Sequence, residues 1–161
     1  MASILYKVAE TEAELRGHFA VRQAVFVEEQ GLFEGSDIDE HDGDAVHIVA
    51  VDGETGAVVG AVRCYYDGDG VWYGGRLAVL SRCRRWAGLI GCRLVRQAEN
   101  AVRQRGCQRF VAYVQLQNVH FFQHLEWKSV GEPVLQYGKA HHLMEASLAA
   151  IPAAPRSLAN V

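Results

Sequence analysis

Residues 71–91 read VWYGGRLAVLSRCRRWAGLIG. The first half is β-rich and the end opens an apolar pattern of helical period, so a strand passes into a helix through the polar turn that holds Arg82, Arg84 and Arg85. A helix start already carries the positive end of the macrodipole and N–H groups without intrahelical partners, so cations there are disfavoured. A chain of formal net charge −3 that sets three arginines at that point resolves the conflict if an anion binds there. Dipole, amides and guanidiniums then act together, and Gly88 and Gly91 let the backbone approach the ligand. Taken alone, the turn fits a pyrophosphate cradle and a solvated basic turn equally well.

Working outward, residues 89–106 put Ile90, Leu94, Ala98, Ala101 and Val102 on one helical face and Arg93, Arg96, Gln97, Asn100 and Arg103 on the other, with Gly106 as a C-cap. Upstream, AVHIVAV, VVGAVRCYY and VWYGGRLAVL are separated by DGETG and DGDG, which predicts a meander of antiparallel strands. Gly74 and Gly75 in the third run predict a distorted strand, although an edge strand accounts for them as well. Before these, residues 3–8 read as a strand and Thr11 with Glu14 as a capping box. Leu15, Phe19, Arg22 and Phe26 follow on one helical stripe. An arginine there must be paired or face a cleft, and the plainer reading is an internal ion pair with a carboxylate such as Glu29.

The segment EGSDIDEHDGDA, residues 34–45, carries six carboxylates, and reads as a solvated loop or the lip of a site. RFVAYV is a further strand, NVHFFQHLE a short helix, and SVGEPVLQYG with HHLMEASL the closing strands. The expectation is an α/β (α+β) fold: a mixed, mostly antiparallel sheet of about seven strands, flanked by helices. Residues 1–150 form one domain, with 151–161 as a flexible C-terminal tail.

A 161-residue chain that is 50% hydrophobic can bury a real core. The first residues lack a signal-peptide pattern and no run approaches the roughly 18 apolar residues of a membrane helix, so a cytoplasmic protein without a membrane partner is expected. Cys64, Cys83, Cys92 and Cys107 show no C-x-x-C spacing, which suits reduced thiols and no metal site. A sequence pI near 6.1 argues against a nucleic-acid partner.

The order of elements and these residues together resemble the GNAT N-acyltransferase superfamily over nearly the whole chain, residues 4–148. The family's pyrophosphate loop has the pattern Arg/Gln-x-x-Gly-x-Gly/Ala. Arg85, Trp86, Ala87 and Gly88 fit its first half, whereas the next small residue, Gly91, comes one place late, with Ile90 in its stead. Within the superfamily the chain is similar to the ElaA-like group through Arg22, Val25, Phe26, Val27, Glu29 and Gln30, then Asp37 and Asp39, then His47. Leu116, Gln117, Asn118, Phe121 and Phe122 follow, and His141 with Met144 close the series. It is also similar to a bacterial subgroup called nitrogen-starvation N-acetyltransferases.

The resemblance implies an acyl-CoA-dependent N-acyltransferase carrying acetyl from acetyl-CoA to the amine of a small molecule, by direct attack in a ternary complex. A homodimer is compatible with it. It implies a bulged central strand whose amides at Leu77, Ala78 and Val79 polarise the acyl carbonyl. CoA is held by Arg84, Arg85, Ala87, Gly88, Leu89, Ile90 and Gly91, with Asn118, Phe121 and Phe122 along the pantetheine arm. Many relatives carry a tyrosine where Phe122 stands, and a phenyl ring donates no proton; this keeps a silent acyl-CoA-binding module as the rival reading. Tyr137, Tyr113 and His141 are substitute acids, and Glu29, His141 and the Asp37–Asp42 group are candidate bases for an ammonium of pKa about 10.4. Each has a plainer role too: Glu29 as a partner of Arg22, His141 as a satisfied strand histidine, Asn118 as a helix N-cap, Cys64 as a small hydrophobe and His47 as a structural residue.

Overall fold

The computed structural model describes residues 3–148, so the expected tail at 151–161 lies outside the described residues. Strand β1 (Ile4–Val8) leads into helix α1 (Glu12–Arg22), which widens into a π-helical segment, Gln23–Glu29. Strands β2 (Val46–Asp52), β3 (Val58–Gly68) and β4 (Val71–Val79) follow, then a 3₁₀ turn (Ser81–Trp86) and helix α2 (Ala87–Arg103). Strand β5 (Arg109–Gln115), the short helix α3 (Val119–His124) and strands β6 (Lys128–Gln136) and β7 (Lys139–Glu145) complete the chain. One sheet of seven strands runs in the order β1-β2-β3-β4-β5-β7-β6. All its pairings are antiparallel except β4 with β5.

Local chemistry sets the elements where it was expected to. Thr11 Oγ1 accepts from the Glu14 amide at 3.1 Å and the Glu14 carboxylate accepts from the Thr11 amide at 3.1 Å, which satisfies the first donors of α1 reciprocally. Gly17 lets α1 press on β3, because a Cβ there would come within 2.4 Å of Val58 Cγ2. Ile90, Leu94, Ala98, Ala101 and Val102 of α2 are buried in the main core with Ile48, Cys64, Phe110 and Met144. A smaller cluster of Val21, Val25, Phe26, Ala61 and Ala78 packs α1 on the other face. The buried stripe of the first helix is His18, Val21, Arg22, Val25 and Phe26, while Leu15 stays 38% exposed. Polar groups at His18 and Arg22 draw that face inward, which apolar periodicity alone does not register.

Sheet irregularity falls where the glycine pair predicted it. Ala61 faces Ala78 and Arg63 faces Gly75, so Arg76 and Leu77 together oppose Val62, and Arg76 takes a left-handed φ of 55°. Pairing of β4 with β5 stops at Gly74 opposite Ala112, although both strands continue. The strands splay from there. No helix among the described residues is long and apolar enough to cross a membrane.

Candidate active site

The splay opens a cavity of about 500 Å³ that reaches both faces of the sheet. On the α2 face its wall includes Val95, Ala98, Phe122 and Trp127, and on the α1 face Phe33, Asp37, Arg63, Arg76, Tyr113 and His141. Asn118 and Leu77 also line it. A passage of this kind lets two reactants meet end to end between β4 and β5.

On the α1 face Asp37, Asp39 and Asp42 of the acidic loop are folded inward around three arginines at the cavity, as the lip of a site, while Glu34, Glu40 and Asp44 stay exposed as in a solvated run. Arg22, fully buried, donates from Nε to Asp37 at 2.7 Å, and from Nη1 and Nη2 to the two Asp42 oxygens at 2.7 and 3.0 Å. Arg63 forks onto Asp39 at 2.6 and 2.8 Å and reaches Asp42 at 3.0 Å. Arg76, turned inward by the bulge, bonds the Asp37 carbonyl at 2.9 Å and Asp39 at 3.2 Å. The partners of Arg22 are thus Asp37 and Asp42, and Glu29 is not among them. Burial pushes the Asp42 carboxyl up, but hydrogen bonds from Arg22 and the Asp39 amide hold it well below the usual carboxylate range. Burial likewise raises Asp39, and Arg63 more than reverses it.

Histidines extend the network. His18 Nδ1 lies 3.0 Å from the Ile48 carbonyl, and its Nε2 lies 3.3 Å from Arg22 Nη1 and 3.1 Å from His47 Nδ1. Burial depresses His18 to about 3, so it is neutral, and its Nε2 accepts a hydrogen bond from the Arg22 guanidinium. Burial lowers His47 too. Arg63 and His18 were not singled out in the sequence, and Asp42 was marked only as part of the Asp37–Asp42 group of candidate bases. The signal was there in the lone cation of the apolar run VVGAVRCYY and in the excess of carboxylates in the loop it faces.

Aromatic rings cross the same face. His41 stacks on Tyr65 at 3.8 Å between centroids and 6° between planes, Tyr65 on Tyr73 at 5.6 Å and 11°, and Tyr73 on Tyr113 at 6.1 Å and 19°. All four line the cavity. Opposite them, Tyr137 on the β6–β7 turn packs on Phe33 at 4.5 Å, with the Arg76 guanidinium 4.4 Å from the Phe33 ring.

His141 is 5% exposed, and its Nδ1 lies 2.9 Å from the Lys139 carbonyl. A carbonyl only accepts, so Nδ1 carries a proton, and in the neutral ring Nε2 is then the acceptor nitrogen, with no partner among the described residues. Tyr137 lines the cavity at its rim and is 55% exposed. Glu29 is absent from the cavity wall and pairs with Arg84 of the basic turn.

The arginine turn has the features an anion requires. Arg82, Arg84 and Arg85 lie exposed on the 3₁₀ turn, and α2 begins at Trp86 without a side-chain cap or an acidic residue in its first turn. A Cβ at Gly88 would meet nothing within 4 Å, so no group among the described residues fills the space above it. Ala87 and Leu89 are accessible beside it. Ile90 is fully buried in the core, and a Cβ at Gly91 would lie 3.3 Å from the Phe121 ring. Gly91 therefore serves the packing of α2 on α3, and the Ile90 side chain is turned into the core rather than toward a ligand at the turn. Phe122 packs on Trp127 at 5.2 Å within the cavity wall. Asn118 makes no side-chain cap for α3, which leaves its amide for the cavity. Ala78 is buried beneath α1, whereas Leu77 reaches the cavity.

Comparison with known proteins agrees with this geometry. The pattern of the Acetyltransferase (GNAT) family matches residues 5–127. YjcF of Bacillus subtilis (strain 168), an uncharacterized N-acetyltransferase, is 32% identical over 125 residues, covering 78% of this chain and 86% of that protein. In fold, the chain is similar to an acyl-CoA N-acyltransferase from Pseudomonas aeruginosa, with a TM-score of 0.75 at 21% identity over 91% of this chain and 100% of the other. Escherichia coli ElaA is similar with a TM-score of 0.75 at 22% identity, again over 91% and 100%.

Proposed function

The chain belongs to the acetyltransferase (GNAT) family, and we propose that it carries acetyl from acetyl-CoA to the primary amine of a small molecule, by direct attack within a ternary complex. The observation that carries this reading is the splay of β4 from β5 beyond Gly74 and Ala112, which opens a cavity through the sheet to His141, while β4 runs on into the basic helix start. Acetyl-CoA would supply the activated carbonyl and a thiolate leaving group. The residues present fit it: an uncapped helix start with open space above Gly88 suits a pyrophosphate.

Arg84 and Arg85 hold the pyrophosphate with the backbone of 87–89, and Asn118 bonds the pantetheine arm. Phe121 and Phe122 give its thiol end an apolar wall. The segment 77–79, free of β5, offers backbone N–H to the acyl oxygen as negative charge develops there. His141 Nε2 takes the proton of the attacking amine. Phe122 has no proton to give, so His141 returns that proton to the departing sulfur, with the Tyr137 hydroxyl at the rim. Glu29 acts with the cofactor turn through Arg84 rather than as the base. Arg22, Asp37, Asp39 and His47, the residues of the ElaA-like pattern, share one network, and we group the chain there. The four cysteines are free, as in a reducing compartment, and we place the protein in the cytoplasm.

The test is thiol release from acetyl-CoA with a panel of amines, beside calorimetric CoA titration. His141→Gln is expected to lower turnover by about 100-fold with CoA affinity unchanged. Absence of CoA binding at millimolar concentration would sink the reading.

A further inference from the structure

We propose that the acceptor is a primary amine carried on an aryl ring, which stacks on Tyr113 as the next rung of the aromatic ladder and so delivers its amine to His141. This rests on the transferase reading above. The ladder advances across the sheet strand by strand, from His41 in the loop to Tyr65 on β3, Tyr73 on β4 and Tyr113 on β5. The step of 5.6 Å joins the register partners Tyr65 and Tyr73, and the step of 6.1 Å runs diagonally from Tyr73, whose register partner is Val111, to Tyr113 where the strands splay. The next strand in the sheet is β7.

There Leu143 stands directly opposite Tyr113, and His141 opposite Gln115. Residues two apart on a strand share a face, so His141 is the diagonal neighbour of Tyr113 on the face that carries the ladder. Tyr113 has a stacked ring on its β4 side and none on its β7 side among the described residues, and it is 38% exposed. A planar ring filling that side continues the stack over Leu143, and an amine on a short arm then lies beside Nε2 of His141.

Charge narrows the class further. Asp37 and Asp39 line the cavity, but each is already bonded by two guanidiniums. Glu40, exposed at the rim, lies 3.5 Å from His41. Among the described residues only the exposed Glu40 is left on the cavity wall to meet a second ammonium group, so the site fits a monoamine with a flat apolar body better than a polyamine.

The experiment titrates the CoA-saturated protein with phenethylamine, hexylamine and spermidine by calorimetry and follows thiol release from acetyl-CoA with the same amines. Phenethylamine is expected to bind about tenfold more tightly than hexylamine and spermidine. Tyr113→Leu should abolish that preference, and Tyr113→Phe, which keeps a ring, should retain it. Equal or tighter binding of hexylamine or spermidine, no binding of any amine, or a preference that survives Tyr113→Leu would overturn the proposal. Thiol release with hexylamine alone keeps the transferase reading and removes this one. Phenethylamine bound through Tyr113 but left unacetylated keeps the stack and removes the transferase reading.

Discussion

Two groups of three arginines flank the cavity, and they have opposite fates. Arg22, Arg63 and Arg76 lie inside the α1 face, each bonded to aspartates of one loop. Arg82, Arg84 and Arg85 lie exposed on the turn before α2, where Glu29 pairs with Arg84 and Arg85 lies over Trp86 at 5.0 Å. Desolvation makes the difference. A buried guanidinium must be matched by fixed carboxylates or the fold pays heavily, whereas an exposed one keeps water and can exchange it for a ligand. The first group is therefore architecture that shapes the α1 side of the cavity, and the second, on the function proposed above, is the group left to meet a ligand.

The strongest way to break that comparison is Asp42→Ala. It leaves buried Arg22 and Arg63 short of a partner, and a loss of about 3–5 kcal/mol in urea unfolding is expected. A loss below about 1 kcal/mol would mean that the inner arginines are no more dependent on their partners than the outer ones.

Acid should act on the inner group alone. Between its ordinary 6.5 and the folded value of about 3, His18 binds a proton only in the unfolded chain. Stability present above pH 6.5 is therefore lost as the pH falls toward 3, at about 1.4 kcal/mol per pH unit for this one group. Asp42 and Asp39, held below their ordinary 3.8, withdraw their own contribution as the pH falls below that value. Urea unfolding between pH 4 and 7 measures the slope, and His18→Gln should flatten it.

The outer group answers to ligand. Arg84→Ala with Arg85→Ala should weaken CoA binding about tenfold and reduce its salt dependence, while unfolding stability stays within about 0.5 kcal/mol of the parent. A double variant that unfolds would place this turn with the inner arginines.

Glu29→Gln should have the smallest effect. The pair with Arg84 joins side chains 36% and 63% exposed, and such pairs contribute about 0–1 kcal/mol. CoA affinity should hold or rise slightly, since Arg84 loses a competing carboxylate. A drop in thiol release at unchanged CoA affinity would restore Glu29 to the acceptor side.

Sequence alone determined the order of elements, the buried face of α2, the capping box at Thr11 and the arginine turn opening a helix, and it marked Gly74 and Gly75 as either a distorted strand or an edge, between which the register of β3 and β4 decided. Each is written in residues a few positions apart, where periodicity, cap chemistry and glycine freedom act directly. The motif residues Arg22, Asp37, Asp39 and His47 were also visible, but as separate marks along the chain. Only the tertiary structure decided that Arg22 pairs with Asp37 and Asp42 rather than Glu29, that Glu29 meets Arg84, and that rings from the loop, β3, β4 and β5 form one ladder ending beside His141. The reason is physical. A guanidinium has no intrinsic preference among carboxylates, and a tyrosine none among rings, so partner choice belongs to strand register and to the way a loop folds over the sheet, both fixed by contacts far apart in sequence.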